Sequence, residues 1–317
     1  MKTNVLKLTA IMLILAGSFC SCNKDIIKED NDTSLNNEPY ETANVRLVKI
    51  LNYSNSSASK LTGEVLYNYD EAGNLINESY FDEWNGTMIP VMCLEYEYSG
   101  NNKIKESVFN CSNGQVLSSY TEYLYEGCQL VKEKIYRGYD SSLLNSTTYE
   151  YDERGNLIRK RYASHHRIET SNEHKYVYDD QNRLILEETP EIGVSEYYHK
   201  YLKHIYDNSG KEVKLEYYNV NEELIRYAEI SYNGASKLEK ELYYDKNGTQ
   251  TVKYQHFYDE WENLIETVIN DECSKFKRKY NGKLLIEEIH YWWHEYGYFG
   301  TGQMPESGMS RYEYEEL

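Results

Sequence analysis

From residue 60 to about 290 the chain repeats one pattern: apolar and polar side chains alternate over six to nine residues, then a short Asp/Asn/Gly cluster intervenes. Alternation with period two is the signature of strands with one face toward a core. No segment beyond the N-terminus sustains apolar residues at three- and four-residue spacing, so little helix is expected. The stretch YEYDERGNLI at 149–158 recurs as YNYDEAGNLI at 67–76, YVYDDQNRLI at 176–185 and HFYDEWENLI at 256–265. Looser copies begin at 96, 123, 204, 230 and 278, and a last YEY stands at 312–314. The second aromatic of each copy falls at 69, 98, 125, 151, 178, 206, 232, 258 and 280, a period near 27 residues in all but the last gap.

Each copy reads as a hairpin. The two rings of Y-x-Y share one face of a strand, because side chains alternate. Asp or Asn then suits the first position of a turn, and Gly three residues later accepts positive φ. By this reasoning Asp70, Gly73, Asp152, Gly155, Asp179, Asp207, Gly210 and Asp259 are turn residues rather than ligands; calcium loops need several oxygens at alternating positions. A second, more variable turn falls near mid-period, with Asn-Gly in DEWNGT (82–87), NCSNGQ (110–115) and DKNGT (245–249). The expected fold is therefore all-β: an antiparallel meander of about 20 short strands from nine or ten hairpin repeats. Open twisted sheets rarely exceed about ten strands, so the sheet should curl into an elongated spiral or partial shell, with a straight single-layer solenoid as the alternative.

The Y-D-x-x-G-x-L core of these copies resembles the YD repeats of Rhs-type proteins. Tyr69-Asp70-Gly73-Leu75 and Tyr151-Asp152-Gly155-Leu157 carry it whole, while Tyr178-Asp179 and Tyr258-Asp259 have Asn182 and Glu262 in the glycine's place. In the large members such repeats wind into a hollow shell around a toxic C-terminal domain. The resemblance implies the strand architecture and, as an alternative function, a part in a contact-dependent toxin or immunity system. No core-closing Asp-Pro motif or independent domain follows the repeats.

Composition adds to this picture. There are 35 Tyr against 6 Phe, 4 Trp and 4 Pro; tyrosine suits half-buried surfaces, having an apolar ring and a polar tip. The formal net charge of −18 argues against a nucleic-acid partner. At the N-terminus, Lys2 and Lys7 precede an apolar run from Leu8 to Gly17 and the small-residue ending SFCSC. Residues 1–21 are expected to be a secretory signal resembling that of bacterial lipoproteins, with Cys22 as the lipidated residue and Cys20 as the alternative. Residues 22–39 read as a disordered acidic tether, 40–290 as the repeat domain and 291–317 as its C-terminal cap. The implied location is the cell envelope: an outer-membrane lipoprotein, surface-exposed or facing the periplasm.

Candidate chemistry lies outside the repeat pattern. Tyr291, Trp292, Trp293, Tyr296, Tyr298 and Phe299 cluster as either an end plug or a platform on which sugar rings stack. His165, His166 and His174, with Glu169 and Glu173, read as one solvated loop, and their spacing fits no metal motif. Cys93 and Cys111 fall near one another on one hairpin, and either a disulfide there or thiols at Cys93, Cys111, Cys128 and Cys273 suits an exported chain. No nucleophile elbow, phosphate loop or zinc signature occurs, so neither cofactor nor metal is expected. The function expected is a non-enzymatic, lipid-anchored envelope protein that binds a glycan or a protein; a glycan-acting enzyme is a further alternative.

Overall fold

The computed structural model describes residues 45–165, 170–190, 199–270, 273–291 and 306–316. Twenty strands, β1 to β20 in chain order, form one sheet in which sequence neighbours pair antiparallel. The meander runs as expected, but the sheet does not remain open. The first strand β1 (Val45–Tyr53) bonds to β2 (Leu61–Tyr69) on one side and to β20 (Glu306–Glu316) on the other. β20 in turn bonds to β19 (Leu284–Tyr291). The expected spiral or partial shell is thus replaced by a closed 20-strand barrel. The physical reason lies in the ends. An open meander leaves two unpaired strand edges, and closure removes both. Here the edges match, because Tyr314 is a tenth copy of the repeat's anchor tyrosine and faces Leu47 across the seam.

Following the register once around the ring gives a stagger of roughly 22 residues, which for twenty strands means a tilt of about 40° and a backbone radius of about 19 Å. Nearly every ladder carries one bulge, most often at the anchor tyrosine itself, as between Asn68 and Tyr69 or Glu150 and Tyr151. Bulges deepen the local twist, and their repetition bends the sheet by similar steps until it closes.

The tyrosine face is the concave one. On a closed wall, inward side chains converge and lose water while outward ones splay apart. Val65, Thr147, Tyr217, Ile230, Thr267 and Glu288 are buried and share the face of the Y-x-Y rings. The residues between paired rings, such as Leu124, Val177, Ile205 and Phe257, are exposed. At mid-height the outer wall is charged: Lys49–Glu64, Lys105–Glu97, Arg161–Glu173, Lys175–Glu188, Lys277–Glu266 and Arg311–Glu287 are ion pairs spread around the ring. No helix among the described residues is long and apolar enough to cross a membrane.

The even-to-odd turns form one rim of the barrel and the odd-to-even turns the other. Val45 and Glu316, paired across the seam, lie together at the rim of the anchor turns. Residues 1–44, with Cys20, Cys22 and the segment read as a tether, lie outside the described residues; Val45, the first described residue, stands at this rim. Glu306–Glu316, inside the segment read as a cap, is a full strand of the wall.

Candidate functional site: the tyrosine-lined inner wall

Six of the nine anchor turns share one plan, while those at Gly100, Gly127 and Gly282 are tighter two-residue turns. In the first, Asp70 donates its N–H to the Asn74 carbonyl (2.9 Å) and accepts the Gly73 N–H on its own carbonyl (3.1 Å). Its Oδ1 accepts the N–H groups of Ala72 (3.0 Å) and Asn74 (2.8 Å). Asp152, Asp179, Asp207 and Asp259 repeat this set. The Asn156 side-chain amide and then its backbone N–H hold the Asp152 carboxyl below its ordinary pKa, as those of Asn74 do for Asp70. The fourth turn position has positive φ throughout: 84° at Gly73, 85° at Gly155, 86° at Gly210, 67° at Asn182 and 63° at Glu262. Asn219, Asn233 and Asp245 build the same turn. Two of these, at 219 and 245, stand on the opposite rim; at 245–249 the sequence suggested a different, Asn-Gly type.

Above the turns the anchor tyrosines form a continuous row. Tyr69 donates its hydroxyl to the Leu47 carbonyl (2.7 Å), Tyr98 to that of Leu75 (2.9 Å), and Tyr151 to that of Leu130 (2.8 Å). Every later anchor does the same to the preceding repeat, ending with Tyr314 on Leu285 (2.9 Å). The accepting carbonyls belong to strand starts beside the bulges, where the ladder leaves an oxygen in need of a partner. Burial, then nearby carboxylates, raises the pKa of Tyr98 and Tyr151.

A second row lies one step deeper, at the first aromatic of each pair. Glu78 accepts from Tyr80 (2.5 Å) and Tyr96 (2.6 Å). Glu106 accepts from Tyr123 (3.1 Å) and from Lys103 (2.8 Å), whose ammonium lies 5.0 Å and 4.8 Å from the ring centres of Tyr96 and Tyr123. Burial, reinforced by Glu78 and Glu106, pushes Tyr96 and Tyr123 far above the ordinary phenol pKa. In three of the later repeats His204, His256 and Arg278 stand in place of the first tyrosine. His204 bridges Glu212 (Nδ1, 2.5 Å) and Glu187 (Nε2, 3.0 Å), His256 bridges Glu241 and Thr267, and Arg278 pairs with Glu288.

The other sequence candidates are dispersed. Tyr291 ends β19, half-buried, with the Lys277 ammonium 6.0 Å from its ring centre; Trp292, Trp293, Tyr296, Tyr298 and Phe299 lie outside the described residues. His174 is not in a loop: it stands in β10 (Thr170–Tyr178), opposite Lys160. His165 follows β9 (Leu157–Ser164) and meets the Ser146 hydroxyl at 3.1 Å, whereas His166 lies outside the described residues. Among the described residues no group of His, Cys, Asp or Glu is placed to hold a metal ion. Cys93 and Cys111 are joined, with Cα atoms 6.3 Å apart, and the Cys128 thiol is exposed.

The sequence reading missed the exposed aromatics of the barrel mouths. Trp84, at the tip of the hairpin β3 (Leu75–Trp84) to β4 (Thr87–Ser99), is 67% exposed, and Tyr139, on another turn of the same rim, is 79% exposed. Trp261 stands exposed on the anchor-turn rim. The only available signal for Trp84 was a large aromatic directly before Asn-Gly in an otherwise polar turn. Taken together, the wall carries aromatic faces and phenol hydroxyls committed to carbonyls and carboxylates of the same curved surface.

No protein-family description matches the chain, and no curated protein matches it. Among solved structures, the complex TcdB2-TccC3-Cdc42 is similar over 78% of this chain, at 14% identity and a TM-score of 0.36. This chain spans only 17% of that one. A porin-like protein from Bacteroides uniformis is similar over 85% of this chain and 98% of its own, at 9% identity and a TM-score of 0.33. A second, from Bacteroides vulgatus, covers 68% of this chain and 98% of its own, at 11% identity and a TM-score of 0.29. At such TM-scores these likenesses add nothing to the fold read from the strand register.

Proposed function

We propose that this chain is a non-enzymatic binding barrel of the cell envelope, held to a membrane by a lipid on Cys22 and standing in water rather than in the bilayer. The kinship with YD-repeat proteins belongs to the same reading. Its ligand is a glycan, taken up at the inner wall. The observation that carries the reading is the division of the two faces: hydrogen-bonded tyrosines and glutamates inside, ion pairs at mid-height outside.

A barrel that spans lipid carries an outward apolar band about 25 Å tall, and each Lys or Arg at its midplane costs about 2–4 kcal/mol. Lys49, Lys105, Arg161, Lys175, Lys277 and Arg311 occupy that height here. The inner wall has the mix of ring faces and fixed polar groups suited to sugars, whose pyranose rings are apolar on their faces and hydroxylated at their edges. Since the tether joins at the anchor-turn rim, the opposite mouth, with Trp84 and Tyr139, points away from the membrane.

The test is extraction of the full-length protein and of Cys22→Ser from membranes. The wild type should remain with the membrane through an alkaline carbonate wash and partition into detergent, and Cys22→Ser should be recovered folded without detergent. A Cys22→Ser chain that still resists carbonate overturns the anchored, water-exposed reading.

A further inference from the structure

On the inner wall Lys103 pairs with Glu106, Arg278 with Glu288, and His204 with both Glu187 and Glu212. Arg226 has no such partner. It stands two residues into β14 (Leu224–Tyr232), below the turn at 219–223 on the rim opposite the anchor turns. Its ladder neighbours are Tyr217 of β13 (Glu212–Tyr218) and Asp245 of β15 (Leu238–Asp245). The guanidinium carbon lies 4.3 Å from the centre of the buried Tyr217 ring, and that ring meets the His199 imidazole edge-on at 5.0 Å. Among the described residues Arg226 makes no ion pair, and its Nε is buried without an acceptor. A charged donor left in that state costs stability, so its retention calls for a reason. Lys160, over Tyr149, also lacks a carboxylate among the described residues, but a lysine carries a point charge on a flexible stem, whereas the Arg226 fork is laid over a ring.

The carboxylates of the surrounding wall are committed elsewhere. Asp245 Oδ1 accepts the N–H groups of Asn247 (2.9 Å) and Thr249 (2.8 Å) within its own turn. Glu241 accepts from Tyr243 (3.2 Å) and meets His256 Nε2 (3.1 Å), and Glu187 and Glu212 are held by His204. Burial, then the Arg226 charge, lowers the pKa of His199, which leaves the guanidinium as the positive charge of this part of the wall at neutral pH.

We infer that Arg226 binds the carboxylate of an acidic saccharide, a uronate unit entering at the mouth away from the anchor turns, a step that rests on the glycan reading above. The planar fork presents parallel N–H donors to the two carboxylate oxygens, a match that a neutral sugar hydroxyl does not offer. Tyr217 backs the cation with its ring face, and the strands bonded on either side of β14 hold the pair in place. The closed barrel offers no strand edge to which an acidic peptide could add.

Full-length protein in detergent is titrated with hexagalacturonate, hexamannuronate and a hyaluronan hexasaccharide, each beside its carboxyl-reduced counterpart, with affinity read by calorimetry. At least one acidic sugar should bind. Reducing its carboxyls should weaken that binding by about tenfold or more, the size of a lost charge-assisted pair. Arg226→Gln should weaken it as much and Arg226→Lys less. Lys105→Gln, the same loss of charge on the outer wall, should leave it within about twofold. Reduced sugars that bind as well as the acidic ones overturn the Arg226 site and leave the glycan reading standing, and that comparison needs no variant to fold. Undiminished binding by a folded Arg226→Gln does the same. Failure of acidic and reduced sugars alike to bind the wild type overturns the glycan reading and the site with it.

Discussion

Single hydroxyl and imidazole groups tie one repeat to the next. The Tyr151 hydroxyl donates to Leu130 of the preceding repeat, so Tyr151→Phe removes a bond and strands a carbonyl without changing shape. A loss of about 1 kcal/mol is expected, measured by urea unfolding. His204 works differently. Burial alone would lower its pKa, but the hydrogen bonds and charges of Glu187 and Glu212 outweigh burial and raise it to about 9. A folded pKa above the unfolded value of about 6.5 means that the stabilisation is fully present below that pH and is lost as pH rises through about 9. The melting temperature of the wild type should therefore fall between pH 6.5 and 9.5 relative to His204→Gln; parallel curves would contradict the assignment. The sequence made the anchor tyrosines legible as a row, since they recur on one face. Their hydroxyl partners were not, because those carbonyls belong to residues 16 to 29 positions away. The bridging role of His204 was equally hidden, because it depends on strands to either side.

Repeated turns are the elements that fix the register. The requirement for positive φ at the fourth position predicts opposite outcomes at two sites. Gly155→Ala, at φ 85°, should destabilise by about 1 kcal/mol. Glu222→Gly, at φ 60°, should stabilise by roughly 0.5–1 kcal/mol, because it relieves a left-handed non-glycine residue. Paired denaturant melts decide both, and equal signs would mean that the turn conformation is misassigned. Turn chemistry was the most readable part of the sequence, since Asp-x-x-Gly carries its own mechanism. Where Asn182, Glu222, Ser236 or Glu262 replaces glycine, the same turn persists, because the Asp or Asn side chain still organises it. Trp84 was the opposite case. Its position before Asn-Gly was visible, but whether it faced the lumen or the medium depended on closure.

At the scale of the molecule, closure is the property that no single repeat encodes. Ten similar bulged hairpins bend the sheet by similar steps, and only their number, combined with matching first and last strands, decides whether a ring or a spiral results. Length and spacing suggested twenty strands, but strand tilt and stagger set the circumference, and these are not readable from alternation. A chain ending before Glu306 lacks β20 and exposes the edges of β1 and β19 together. It should elute as oligomers or aggregates in size-exclusion chromatography where the full chain elutes as a discrete species; a well-behaved monomer would show that the seam is dispensable.

The seam between β1 and β20 also erases any distinction between beginning and end. Val45 and Glu316 lie opposite one another, so a short linker could join them and the chain could be opened afresh at any repeat turn with the ring intact. The same juxtaposition governs biogenesis. β1 leaves the ribosome before the other strands of the ring yet must wait for β20, its partner on the other side, until all twenty have emerged, so the ring is a structure that can be locked only once, at its last strand.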